Sequence, residues 1–323
     1  MNKPNKRAAL VPPLLRLQTS ITSRDDRLLG WLYDHGVLTT DQIAKALFSS
    51  LDFAQRRLLR LTVLGAVTRF RPNKLDGGSH PYHYVLAQLG YEHVMGQHGH
   101  GLPKRDQARR RYQSLISRPD LPHLLGTNGV FTDLAAYERT HPGTKLAEWR
   151  PASAFHEPGA LFRDGSDHRL MTKFLGLPRP DGAGAWTEDG NTVAFFVEYD
   201  TGTERLNVLT DKVAKYGLLF SYAKTWSWPV LFVLPTALRE RHWHDRLHAA
   251  YPNQAPAVVV TTATDYLTRL GKTPAEDVWQ VLGSTRPRRR LIELPYRDPD
   301  HDTRWHPPPD RTVDRRPMGG ATA

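Results

Sequence analysis

The sequence predicts a mixed helix-and-strand protein, α+β in its first half and α/β in its second, and three observations carry this. Three segments of helical period followed by a short basic hairpin fill the first hundred residues, which is the element order of a winged helix-turn-helix. Beyond them the segments run helix, strand, strand, strand, helix, strand, helix, strand, a pattern that calls for a mixed sheet with helices packed on it. At 323 residues the chain is long enough for two cores of ordinary size.

Taken in order, Leu28, Leu29, Leu32 and Tyr33 share one face of a first helix in RDDRLLGWLYDHGVL. Thr39 or Thr40 caps a second, TTDQIAKALF, with Ile43, Ala44 and Leu47 inward. The third, FAQRRLLRLTVLGAV, sets Leu58, Leu61 and Leu64 opposite Gln55, Arg56 and Arg60. VTRF and HPYHYVLA then read as two strands around a Pro-Asn-Lys-Leu-Asp-Gly-Gly loop, and LGYEHV starts a further helix suited to pairing two copies across a palindrome.

The second block opens with a helix at FTDLAAYERTH and a strand at LAEWRPAS, followed by RLMTKFLGLPRPDG. WTEDGNTVAFFVEYD is a hairpin with Asp189-Gly190-Asn191 at its turn. RLNVLTDKVAKYGLLFSYAKT is an amphipathic helix, WPVLFVLP a buried strand, RERHWHDRLHAAY a helix and PAVVVTT a last strand. The boundaries that follow are a disordered basic lead over 1–22, a first domain over 23–101, a basic, partly helical linker over 102–122, a second domain over 123–284 and a disordered polar tail over 285–323.

Lys and Arg number 44 against 33 Asp and Glu, a net charge of +11 that favours a polyanionic partner, nucleic acid above all. The absence of cysteine excludes disulfides, thiolate zinc sites and a cysteine nucleophile. No run reaches the roughly 18 apolar residues of a membrane span and no signal peptide is legible, so a cytoplasmic location without membrane contact is expected. In a helix-turn-helix the second helix of the motif offers its N-terminal residues to base edges. Here Gln55 is placed to read adenine, Arg56 or Arg57 guanine and Arg60 a phosphate, with Arg69, Arg71 and Lys74 on the wing. The competing reading is a solvated basic helix face.

One group of acidic residues points to chemistry. Glu198 and Asp200 alternate onto one strand face with Tyr199 opposite, and Asp181, at the end of the preceding strand, is expected to meet them. Three converging carboxylates suit Mg2+, which would be held by Asp181, Glu198 and Asp200. The competing reading makes Asp181 a turn residue and the other two surface ion-pair partners. His244 and His248, four apart on a helix, read as surface histidines. Asp followed across a hairpin by a second acidic strand resembles the core of the restriction-endonuclease-like nucleases, which implies a metal-dependent nickase. Those nucleases carry lysine two residues after the glutamate, where this chain has Asp200; Lys212 or Lys215 on the next helix is the candidate replacement.

The order of Leu61-x-x-Leu64-Gly65-x-Val67, a basic segment, Pro180-Asp181-Gly182, Val197-Glu198-Tyr199-Asp200-x-Gly202-x-Glu204 and Lys212-x-x-x-Tyr216 resembles the replication-relaxation family of actinobacterial plasmids and integrative elements. The resemblance spans about residues 24 to 265. It implies plasmid double-stranded DNA as partner, with replication or transfer proteins and a second copy of the chain as further candidates, and it matches Glu198, Asp200, Glu204, Lys212 and Tyr216 to the family pattern. Two functions follow from it: a DNA-binding protein of plasmid replication, relaxation or transfer that also nicks DNA, or a non-catalytic replication accessory or transcriptional repressor with a degenerate nuclease domain.

Overall fold

The computed structural model describes residues 12–72, 78–156, 176–223 and 228–295. Its first elements are helix α1 (Pro13–Gln18), α2 (Ser23–His35), the two-residue strand β1 (Leu38–Thr39), α3 (Thr40–Leu47), α4 (Leu51–Val63), β2 (Val67–Phe70), β3 (His83–Leu86) and α5 (Gln88–Gln97). Helix, helix, helix, hairpin is the expected order, with β1 added as a third strand in a small antiparallel sheet ordered β1-β3-β2. Capping explains where the helices start. Thr39 accepts from the Gln42 backbone at 3.2 Å while the Gln42 side chain accepts from the Thr39 backbone at 3.0 Å, and Ser50 accepts from Phe53 at the head of α4. The apolar faces fall as their spacing requires: Leu28, Leu29, Leu32, Ile43, Leu58 and Leu61 are fully buried.

The remainder comprises α6 (Gln107–Ile116), α7 (Leu121–Thr140), β4 (Thr144–Pro151), β5 (Gly182–Glu188), β6 (Asn191–Tyr199), α8 (Leu206–Ala223), β7 (Val230–Leu234), α9 (Ala237–Ala250), β8 (Val259–Ala263), α10 (Thr264–Leu270) and β9 (Gln280–Val281). The six-stranded sheet runs in sequence order, β4 to β9; β4, β5 and β6 are antiparallel, β6, β7 and β8 parallel, and β9 antiparallel again. It is the mixed sheet that the pattern predicts. The β5-β6 turn has Asp189 at φ 48° and Gly190 at φ 82°, the left-handed pair that a two-residue hairpin needs.

Three boundaries differ from expectation. The lead is helical from Pro13, and Leu17 is wholly buried, while residues 1–11 lie outside the described set. The tail stays ordered to residue 295, with Leu291 and Leu294 buried and Trp279 bridged to Arg289; residues 296–323 lie outside the described set. Residues 102–122 form α6 and the start of α7, and Leu115 of α6 is buried with Val37 and Val85. Helix α5 buries Tyr91 and Val94 against its own chain.

Helix α7 joins the halves. On one side the Asn128 amide donates to the carbonyls of Val37 at 2.8 Å and His35 at 3.3 Å, and Gln42 of α3 donates to Leu125. On the other side Phe131 stacks on Trp149 of β4 and Phe195 of β6, and the opposite face of Trp149 takes the His35 ring at 3.7 Å. Burial drives the His35 imidazole down to a pKa of about 3, so it packs as a neutral ring.

Arg57 faces this interior. It donates to the Asp25 carboxylate at 2.9 Å and to the Ser20 carbonyl at 2.8 Å, and Asp25, 1% exposed, also accepts from the Thr22 backbone and hydroxyl at 2.7 Å each. Burial alone would raise the Asp25 carboxyl, but the bonds from Arg57 and Thr22 outweigh it and hold the group below its ordinary value. Its stabilising contribution is therefore present above the unfolded pKa and is lost as pH falls through the folded one. Arg57→Ala should cost about 3 kcal/mol in a denaturant titration at pH 7, with a smaller loss at pH 3; a loss independent of pH would contradict the pair's role.

Candidate functional site

Two clusters of polar side chains stand out. The first is a groove between α4 and the hairpin. The outward face of α4 exposes Gln55, Arg56, Leu59, Arg60 and Val63, and the first three line the groove together with Arg69, Arg71 and Tyr82. Strand alternation sends Arg69 and Arg71 to the same side of β2 and its continuation, where their guanidinium carbons lie 3.9 and 3.8 Å from the Tyr82 ring centroid. Arg71 also donates to Ser79 at 3.0 Å. Arg56 pairs with Asp52 one turn earlier at 2.6 Å and lies over Phe53. Of the seven residues assigned to DNA, Gln55, Arg56, Arg69 and Arg71 meet here. Arg60 is exposed one turn beyond and does not line the groove, Arg57 is turned inward, and Lys74 lies outside the described residues.

The second cluster sits where β5 begins and β6 ends. Asp181 is at the head of β5 rather than the end of a preceding strand, its N–H bonded to the Val197 carbonyl at 3.0 Å. Its carboxylate accepts from the Tyr199 backbone at 2.8 Å and bonds His123 Nε2 of α7 at 2.9 Å. Glu198, 2% exposed, accepts from Lys212 Nζ at 3.0 Å and from the Tyr216 hydroxyl at 2.7 Å, both on α8. Glu204 completes the set, 3.4 Å from Lys212. Lys212 thus reaches the glutamate, whereas Lys215, three residues on, is exposed. Asp200, just beyond β6, is taken up by Arg239 of α9 at 2.5 Å and by the Gly202 backbone at 2.7 Å, while Glu198 is bonded from α8.

The three-carboxylate magnesium site does not fit this arrangement. Asp200 is neutralised by Arg239, and among the described residues no group of three or more His, Asp or Glu side chains is placed to hold a metal ion. Asp181 and Glu198 remain as a pair near Lys212 and His123. Burial first, and then the neighbouring Asp181, raises the Glu198 carboxyl above the ordinary carboxylate range, against the pull of Lys212 and Tyr216. The Asp181 hydrogen bond raises His123. Desolvation works against the Lys212 ammonium, but Glu198 and Asp181 more than compensate and raise it. Tyr216 is fully buried and its hydroxyl is raised well above the ordinary value by burial and Glu198, so it has no access to a substrate.

His123 is the member that sequence reading missed, since it sits at the edge of the presumed linker and 58 residues from its partner. It lines an open cleft with Tyr199, Asp200, Thr203 and Glu204. Gly126, one turn further along α7, gives the Tyr199 ring its place: a Cβ there would stand 2.2 Å from the ring.

Fold and clusters define a mixed α+β protein with a groove lined by Arg56, Arg69 and Arg71 together with Asp41 and Asp52, and an internal acid-base cluster. The chain belongs to the replication-relaxation family, whose family model matches residues 29–230 and so takes in both groups. No curated protein and no solved structure matches it. No helix among the described residues is long and apolar enough to cross a membrane.

Because the folded chain holds the Glu198 proton more tightly than the unfolded chain, stability should fall as pH rises through the raised pKa. Glu198→Gln, which cannot ionise, is expected to raise the melting temperature at pH 8 and to change it little at pH 5. A variant that melts lower than wild type at pH 8 would show that the charged pair with Lys212 stabilises the fold after all.

Proposed function

We propose that this protein binds duplex DNA through a winged helix-turn-helix, in the service of plasmid replication or relaxation. The observation that carries the reading is the groove in which Gln55 and Arg56 of α4 meet Arg69 and Arg71 of the hairpin. In this fold α4 enters the major groove and the hairpin lies along the backbone. Gln55 and Arg56 have the hydrogen-bonding shapes that recognise adenine and guanine. Arg69 and Arg71, spread over Tyr82, present their charge toward phosphates. Family membership supplies the plasmid context.

Arg69→Ala and Arg71→Ala should each weaken binding of the full-length chain to a duplex of any sequence and lower the slope of log K against log salt by about one. Asp52→Asn, which frees Arg56, should tighten binding several-fold at low salt. These outcomes are read by fluorescence anisotropy across a salt series; binding that ignores salt would remove the proposal. The full chain is the right material, because helix α7 packs on α3 and a fragment without α7 would uncover that core.

A second reading, phosphodiester cleavage by Asp181, Glu198 and Lys212 in a restriction-endonuclease-like fold, is favoured by one distance. Lys212 lies 3.0 Å from Glu198 and so supplies the lysine missing from the strand. The loss of Asp200 to Arg239 weighs against it, and binding without cleavage is the favoured reading. Supercoiled plasmid incubated with the protein and magnesium or manganese should therefore be bound and remain supercoiled. Conversion to open circles that Asp181→Asn abolishes would establish the nicking enzyme instead.

A further inference from the structure

Leu59 does not suit a face whose business is charge. It is 53% exposed, stands in the groove one helical turn after Gln55, and is followed another turn on by Val63, 79% exposed. Scattered exposed leucines are ordinary on any surface and need no account. This one differs in its surroundings, because Gln55 and Arg56 precede it on the same helix face and Arg69 and Arg71 face it from the hairpin. A purely phosphate-binding groove gains nothing from an exposed aliphatic side chain in its lining. A surface that combines anionic walls with an isolated apolar group does. In the major groove of duplex DNA the phosphates form the walls, and the thymine 5-methyl is the apolar group that a base edge offers.

Resting on the DNA-binding reading above, we infer that Leu59 is a sequence-reading residue that packs on a thymine methyl close to an adenine recognised by Gln55. Helical geometry sets the spacing. Four residues advance about 6 Å along the axis, and base pairs are stacked about 3.4 Å apart, so the methyl belongs to a pair one or two steps from that adenine. The groove is thus specific for an A·T-containing step, with Gln55 supplying hydrogen bonds and Leu59 supplying an apolar contact that cytosine and deoxyuridine lack.

The test uses a duplex selected by the full-length protein from a randomised 20-base-pair library, resynthesised with single thymidines replaced by deoxyuridine. That change removes one methyl and leaves base pairing intact. Wild type should lose roughly fourfold in affinity at one position, the amount expected for one buried methyl. Leu59→Ala and Leu59→Gln, both at an exposed helical position and both checked for unchanged melting temperature, should bind the two duplexes equally. Indifference of wild type to deoxyuridine at every position overturns the inference while leaving the DNA-binding reading intact. Sensitivity that persists in both variants also overturns it, since another residue then reads the methyl. Failure to enrich or bind any duplex removes the DNA-binding reading itself.

Discussion

A helix with apolar side chains on more than one face is stable only when each is covered, and α7 is such a helix. Val130, Phe131, Leu134 and Ala135 are all buried. The small sheet and helices of the N-terminal half cover one side through Asn128, Val37 and Gln42, and strands β4 and β6 cover the other through Phe131, Trp149 and Phe195. The two blocks therefore share one apolar core, which runs from Leu17 to Leu294. His123 and Gly126 on the same helix fix the cleft beside Asp181 and Tyr199, so the packing that unites the chain also positions the acid-base cluster.

The two polar clusters differ in what their charges do. In the groove the arginines are held by a tyrosine face, a hydroxyl and one exposed ion pair, partners that are easily exchanged for phosphates or bases. In the cluster every named acid is matched to a named base or hydroxyl, and Glu198 is almost without solvent. Burying such charges is costly and gains little stability over apolar packing. The cluster therefore contributes less to stability than its many bonds suggest.

Adjacent residues on α4 show how sharply geometry divides roles. Arg56 and Arg57 are chemically alike, yet the 100° step of a helix sends one into the groove and the other to Asp25. Lys212 and Lys215, three residues apart and so about 60° apart around α8, are divided as well: Lys212 reaches Glu198 and Lys215 is exposed.

By itself the sequence determined the longer elements and their order, though not the short α1, β1, α10 and β9, because hydrophobic period, Thr and Ser caps and the Asp189-Gly190 turn are local signals. It also placed Glu198 and Asp200 on one strand face by alternation, and it left Lys212 or Lys215 as the candidates for the absent strand lysine, of which Lys212 is the one that reaches Glu198. Only the tertiary structure decided that Asp200 belongs to Arg239, that His123 belongs to Asp181 and that Arg57 is lost to the interior, since each depends on a partner 32 to 58 residues away. The tail misled for the same reason, and so did the packing of the partly helical linker. Leu291 and Leu294 look insufficient to order the tail, and Leu115 to anchor the linker, until distant segments close over them, because burial against a remote surface leaves no local pattern in the chain.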